Sequence, residues 1–132
     1  MTFQPHEPFD ERGRSPAHQL YEEARRRLDA GLISEATELF LRSTDPSPHF
    51  KTYELLGECY MRQKLYMQAI PYLAAATTLN RGVRAPSLLA ETCLEVGKLD
   101  WAKEASKIAL ARDANNKSAK AMKEKLNSIS VD

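Results

Sequence analysis

The chain is short of cysteine, glycine and net charge, and each shortage closes a class of function. Only two cysteines, Cys59 and Cys93, occur in 132 residues. Neither stands two to four residues from a second cysteine or a histidine, so the spacing of a zinc site is missing. Both fall in apolar helical patterns rather than a disulfide-dense framework, which points to a reducing compartment, and the cytoplasm is the expected location. A thiol in apolar surroundings is inert because burial raises its pKa. His6, His18 and His49 are scattered and share no element with a cysteine. No nucleophile and base stand together, so a non-catalytic protein without cofactor or metal is expected. The five glycines form no phosphate-cradling loop. Lys and Arg number 19 against 18 Asp and Glu, leaving +1 and no overall field to draw in nucleic acid or an anionic membrane. The runs Arg25–Arg27 and Lys120–Lys125 lack interleaved aromatics and read as solvated charge. No apolar run approaches the roughly 18 residues of a membrane helix, and the first residues lack the apolar block of a secretory signal, so neither insertion nor export is expected.

What is present is helical periodicity. Residues 1–16 hold Pro5, Pro8, Pro16 and Gly13 with little to bury beyond Met1, Phe3 and Phe9, and are expected to form a flexible tail. From Ala17 onward, apolar residues recur at three and four: Leu20, Ala24 and Leu28, then Ile33, Ala36, Leu39 and Phe40. Ala30-Gly31 separates these two helices, and Pro46 and Pro48 are expected to end the second. The plan repeats with Tyr53, Leu56, Gly57 and Tyr60 followed by Tyr66, Ala69, Ile70, Leu73 and Ala76. It repeats again with Leu88, Leu89, Ala90, Cys93 and Leu94 followed by Leu99, Ala102, Ala105, Ile108 and Ala109. A last helix is expected over about 117–128. Pro71 lies inside a helix and predicts a kink. No segment alternates with period two, so the fold class is all α.

Ala36, Ala69 and Ala102 are separated by 33 residues and 33 again. The same register superposes Gly31, Lys64 and Gly97 at the turns and Ala24, Gly57 and Ala90 on the first helices. Small side chains at helix crossings let axes approach toward the short end of the usual 8–10 Å. A period in the low thirties built from helix, turn and helix marks a solenoid in which each unit buries its face on the next.

On Tyr53, Leu56, Gly57, Tyr60, Ala69, Leu73 and Ala76 the middle unit resembles the tetratricopeptide repeat family, with Arg81 where the family has proline. The first unit matches through Leu20, Ala24, Ala36, Phe40 and Pro48 but carries Glu23 and Arg27 where leucine and tyrosine belong. The third matches through Leu89, Ala90, Ala102 and Ala109 and departs at Pro86, Ser106 and Ala114. The resemblance implies a right-handed α-α superhelix of about seven helices: units at about 17–49, 50–82 and 83–116, and a capping helix at about 117–128, within one domain spanning 17–132.

The resemblance also implies a concave groove lined by the first helix of each unit, holding a peptide or helix of another protein. The positions it designates are Tyr21 and Arg25, then Lys51, Glu54, Glu58, Met61 and Arg62, then Arg84, Ser87, Glu91 and Leu94. Family members that clamp the C-terminal carboxylate of heat-shock chaperones place lysine, asparagine and arginine where this chain has Tyr21, Arg25, Leu55, Arg84 and Leu88. That clamp is largely absent. The stretch "RAPSLLAETCLEVGKLDWA" is similar to the third repeat of small tetratricopeptide chaperones that hold secretion translocators. The expected function is therefore a protein-interaction module. A chaperone for a secreted protein, and a self-associating scaffold closed as a homodimer by Trp101 or the N-terminal segment, stand as alternatives.

Overall fold

The computed structural model describes residues 9–44 and 49–129. Phe3, Pro5, His6 and Pro8 of the expected tail, and Pro46 and Pro48, lie outside the described residues. The described residues form α1 (Pro16–Asp29), α2 (Ile33–Thr44), α3 (Phe50–Arg62), α4 (Tyr66–Leu79), α5 (Arg84–Glu95), α6 (Leu99–Arg112) and α7 (Lys117–Ile129), and no strand occurs among them. α1 packs on α2, α3 on α4 and α5 on α6; the hairpins stack through α2 on α3, α4 on α5 and α6 on α7. Lighter contacts of α3 with α5 and of α5 with α7 run along one side, and no sizeable contact joins α1 to α6 or α7. The array is open, not a closed bundle.

Local chemistry sets the helix ends. Ser15 caps α1 by accepting from the His18 N–H at 3.1 Å, with Pro16 in the first turn, where its missing donor costs nothing. Residues 10–14, assigned to a tail on composition, are instead tied to α1. The Asp10 carboxylate accepts from the backbone N–H of Arg12 and Arg14 and from the Arg14 side chain, which also reaches Glu22. An Asx-type turn of this kind needs no apolar core, which is why composition conceals it.

The three hairpin turns are one motif used three times. In each, the residue after the helix cap has positive φ: Gly31 at 81°, Lys64 at 61° and Gly97 at 76°. Their N–H groups bond the carbonyls of Leu28, Met61 and Leu94, while the next residues, Leu32, Leu65 and Lys98, bond those of Arg27, Tyr60 and Cys93 at 2.8–2.9 Å. This is the Schellman pattern, which satisfies orphan carbonyls and reverses the chain. Lys64 performs it without glycine's freedom.

Packing follows the small residues. Ala24, Ala36, Ala69, Ala90 and Ala102 are all fully buried. At Gly57 a Cβ would meet Leu73 Cδ2 at 2.4 Å and Cγ at 2.5 Å, so α3 and α4 cross as closely as the leucine permits. Phe40, Leu55, Leu56 and Cys59 fill the first core cluster, and Cys93, Ala102 and Leu126 anchor a second at the other end. Tyr72 stacks on Tyr53 and Tyr60, with ring centroids at 6.2 and 5.6 Å. Pro71 lies inside α4, which runs from Tyr66 to Leu79, and its side chain is on the exposed side of the helix. The hydrogen bond it forfeits therefore falls where water can replace it. Arg112, at the end of α6, donates to the carbonyls of Thr77, Asn80 and Gly82 at 2.9–3.0 Å, clamping the α4–α5 link.

Two substitutions test this account by urea unfolding. Gly57→Ala should destabilise: overpacking against Leu73 costs about 1–3 kcal/mol and outweighs the roughly 1 kcal/mol of helix propensity that alanine brings. Lys64→Gly should stabilise by about 0.5–1 kcal/mol by relieving the left-handed backbone.

Candidate partner-binding face

The side on which α3 touches α5 and α5 touches α7 carries two hollows. The first, of about 410 Å³, lies between the N-terminal ends of α1 and α3 and is lined by Ser15, Ala17, His18, Tyr21, His49, Phe50, Lys51 and Thr52. The second, of about 300 Å³, lies between α5 and α7, with Arg84, Ser87, Leu88, Glu91, Ser118 and Met122 among its walls. Tyr21 is held for the first hollow by an edge-on contact with Phe40 at 5.8 Å. Its hydroxyl accepts from the Arg25 guanidinium at 3.3 Å.

Between the hollows stands a ridge of paired charge. The Glu54 carboxylate accepts from Lys51 Nζ at 2.7 Å and from Arg84 Nη1 at 3.0 Å. The second arm of Arg84 donates to Glu58, whose other oxygen lies 3.6 Å from Arg62. Burial works against charge on Arg84, but Glu58 and Glu54 outweigh it and hold the guanidinium pKa above its ordinary value. Arg84 starts α5, so this fork fastens the third hairpin to α3 of the second. Two carboxylates meet three cations, and the ridge is nearly neutral.

The designated groove residues thus divide. Tyr21 and Lys51 meet at one hollow, and Arg84, Ser87 and Glu91 at the other. Lys51, Glu54, Glu58, Arg62 and Arg84 are joined in the ridge. Glu54 was expected to face the groove; it is 5% exposed, its carboxylate enclosed once Arg84 arrives. Leu94 was placed there too, and packs instead against the core of Cys93, Ala102 and Leu126. Met61 is half-buried and lines neither hollow. Sequence reasoning missed His49, Phe50 and Thr52 at the first hollow and Ser118 and Met122 at the second. Carrying the 33-residue register past Leu89 lands on Met122, and both pack against the second core cluster, so the register by itself does not disclose the hollow.

Away from this face, Cys59 and Cys93 are buried and unpaired by disulfide. Burial raises the pKa of both thiols, against a hydrogen bond from Thr37 that pulls Cys59 the other way. Among the described residues no group of three His, Cys, Asp or Glu side chains is placed to hold a metal, and no helix is long and apolar enough to cross a membrane. Trp101 is 52% exposed, with Lys98 Nζ 5.0 Å from its ring centroid.

No family sequence model and no curated protein sequence matches the chain. Solved structures do. The first TPR of Spaghetti (RPAP3), bound to the HSP90 peptide SRMEEVD, superposes with TM-score 0.80 at 22% identity, covering 92% of this chain and 95% of that one. The fold is that of a tetratricopeptide array. The Arabidopsis OM64 TPR domain gives 0.79 at 14% identity, covering 86% of this chain and 95% of that one. The Yersinia enterocolitica type III secretion chaperone SycD, in complex with a peptide of the translocator YopD, gives 0.73 at 22% identity, covering 91% and 93%. The tetratricopeptide array here is therefore an all-α, right-handed superhelix of hairpins.

The ridge is testable by itself. Glu54→Ala should cost about 2 kcal/mol in urea unfolding, since it strips a buried acceptor from two cations that water reaches only in part, and Glu54→Gln should cost less.

Proposed function

We propose that this tetratricopeptide array is a protein-interaction module that holds a segment of a partner along the face of α1, α3, α5 and α7. The observation that carries the reading is the pairing of two hollows with a self-neutralised ridge between them. A partner gains most by seating a side chain in each hollow and crossing the ridge with polar atoms, because desolvated pockets supply most binding energy while satisfied ion pairs give little. An acidic chain end would have to pull Arg84 from Glu54 and Glu58, which disfavours a ligand recognised by its terminal carboxylate. Binding of an HSP90 peptide and of a YopD peptide by structurally similar arrays supports a peptide-type ligand in general. A role as a chaperone for a secreted protein is supported by the second of these together with the likeness of residues 84–102 to the third repeat of such chaperones.

Photoreactive side chains at His18 and Ser87 should capture the same partner from cell extract, while one at the exposed Glu38 of α2 should not. Bulky Ser87→Trp should abolish capture from His18 with unchanged unfolding behaviour. Equal capture from Glu38 rejects this face.

A further inference from the structure

The register breaks at a core position of the third hairpin. Phe40 and Leu73 are fully buried fillers of the first and second hairpins, and the residue 33 further on is Ser106. A hollow of about 460 Å³ opens beside it between α6 and α7, with Leu110, Ala111 and Leu126 as its apolar walls. Ser106 is 4% exposed and its Oγ has no hydrogen-bond partner. A buried hydroxyl left unsatisfied is unfavourable, so the position marks a packing defect of the third hairpin. Lys103, Lys107 and Lys123 surround the opening. Only Lys107 has a nearby carboxylate among the pairs formed, Glu104 at 3.7 Å, with both side chains largely in solvent. Lys123 also occupies the register of Ala24, Gly57 and Ala90, where the array otherwise keeps a small residue. The hollow calls for a large apolar side chain with acidic neighbours.

The chain carries such a segment at its opposite end. Phe9 is 67% exposed, more than any other large apolar side chain among the described residues. It lies in the sequence Glu7-Pro8-Phe9-Asp10-Glu11, and residues 9 and 10 are outside any helix. The following Arg14 is already neutralised by Asp10 and Glu22. Phe9 precedes α1, which has no sizeable contact with α6 or α7, so the hollow it can fill belongs to another molecule. We propose that the array self-associates head to tail, the Phe9 segment of one copy entering the α6–α7 hollow of a second. Phe9 takes the volume that Phe40 and Leu73 fill in the inner hairpins, covering Ser106, and Glu11 meets the lysine rim. Such a contact is heterologous: two reciprocal docks close a dimer, and otherwise the array grows as a chain.

Sedimentation velocity from micromolar to millimolar concentration tests it on the full chain. The wild type should associate, more weakly at high salt because the rim is exposed. Phe9→Ala should weaken association about tenfold or more, the loss expected on withdrawing one buried aromatic side chain. Ser106→Leu, which fills the hollow as Leu73 does in the preceding hairpin, should abolish association while leaving the thermal midpoint unchanged or higher. Glu11→Lys and Lys107→Glu should each associate poorly alone and recover as a mixture. A monomer throughout the range, or association indifferent to both Phe9→Ala and Ser106→Leu, overturns the proposal; in the first case the hollow is left to an acidic partner of another kind.

Discussion

Everything in this molecule depends on how closely two helices can approach. At Gly57 the margin is below the size of a methyl group, since Leu73 occupies the place a Cβ would need. Fully buried alanines hold the equivalent crossings at 24, 36, 69, 90 and 102. Close approach lets a modest set of large side chains, Phe40, Leu56 and Leu73 foremost, fill the remaining space in a chain this short. The small residues recur at a fixed interval, each hairpin stacks on the next through the same pair of elements, and the array stays open instead of closing on itself. The groove is thus a by-product of the packing rule.

That dependence explains what was legible in the sequence. Any feature set by period could be read: the helix pairs, the turns at Gly31 and Gly97, the buried alanines, even the turn at Lys64, whose register matches the two glycines and whose φ is likewise positive. Features set by an encounter between hairpins could not. Glu54 looks outward on a helical projection of α3 and is covered only when Arg84 crosses from α5. Leu94 likewise projects toward the groove, but it is drawn into the core formed with Leu126 of α7. Arg112 reads as a solvated residue at the end of α6, yet it closes the link between α4 and α5 through three carbonyls. The Asp10 turn escaped for a different reason. Hydrogen bonds order it, and composition measures only what can be buried.

The charges on the inner face bear on selectivity as well as on stacking. Salt bridges exposed on both sides are worth little, whereas Glu54 is enclosed and cannot be left without its partners. A ligand that competes for Arg84 therefore meets the cost of stranding Glu54 before it gains anything from its own contact. In the proposed reading the ridge works by exclusion: it penalises strongly acidic segments and leaves the two hollows to decide among the rest. Among the described residues, the lysines of α6 and α7 form no ion pair beyond the loose one of Lys107 with Glu104. On the two proposals, one array carries an inner face whose charges are already paired and an end whose lysines are mostly not, and the difference arises from where the register of the hairpins is kept and where Ser106 and Lys123 break it.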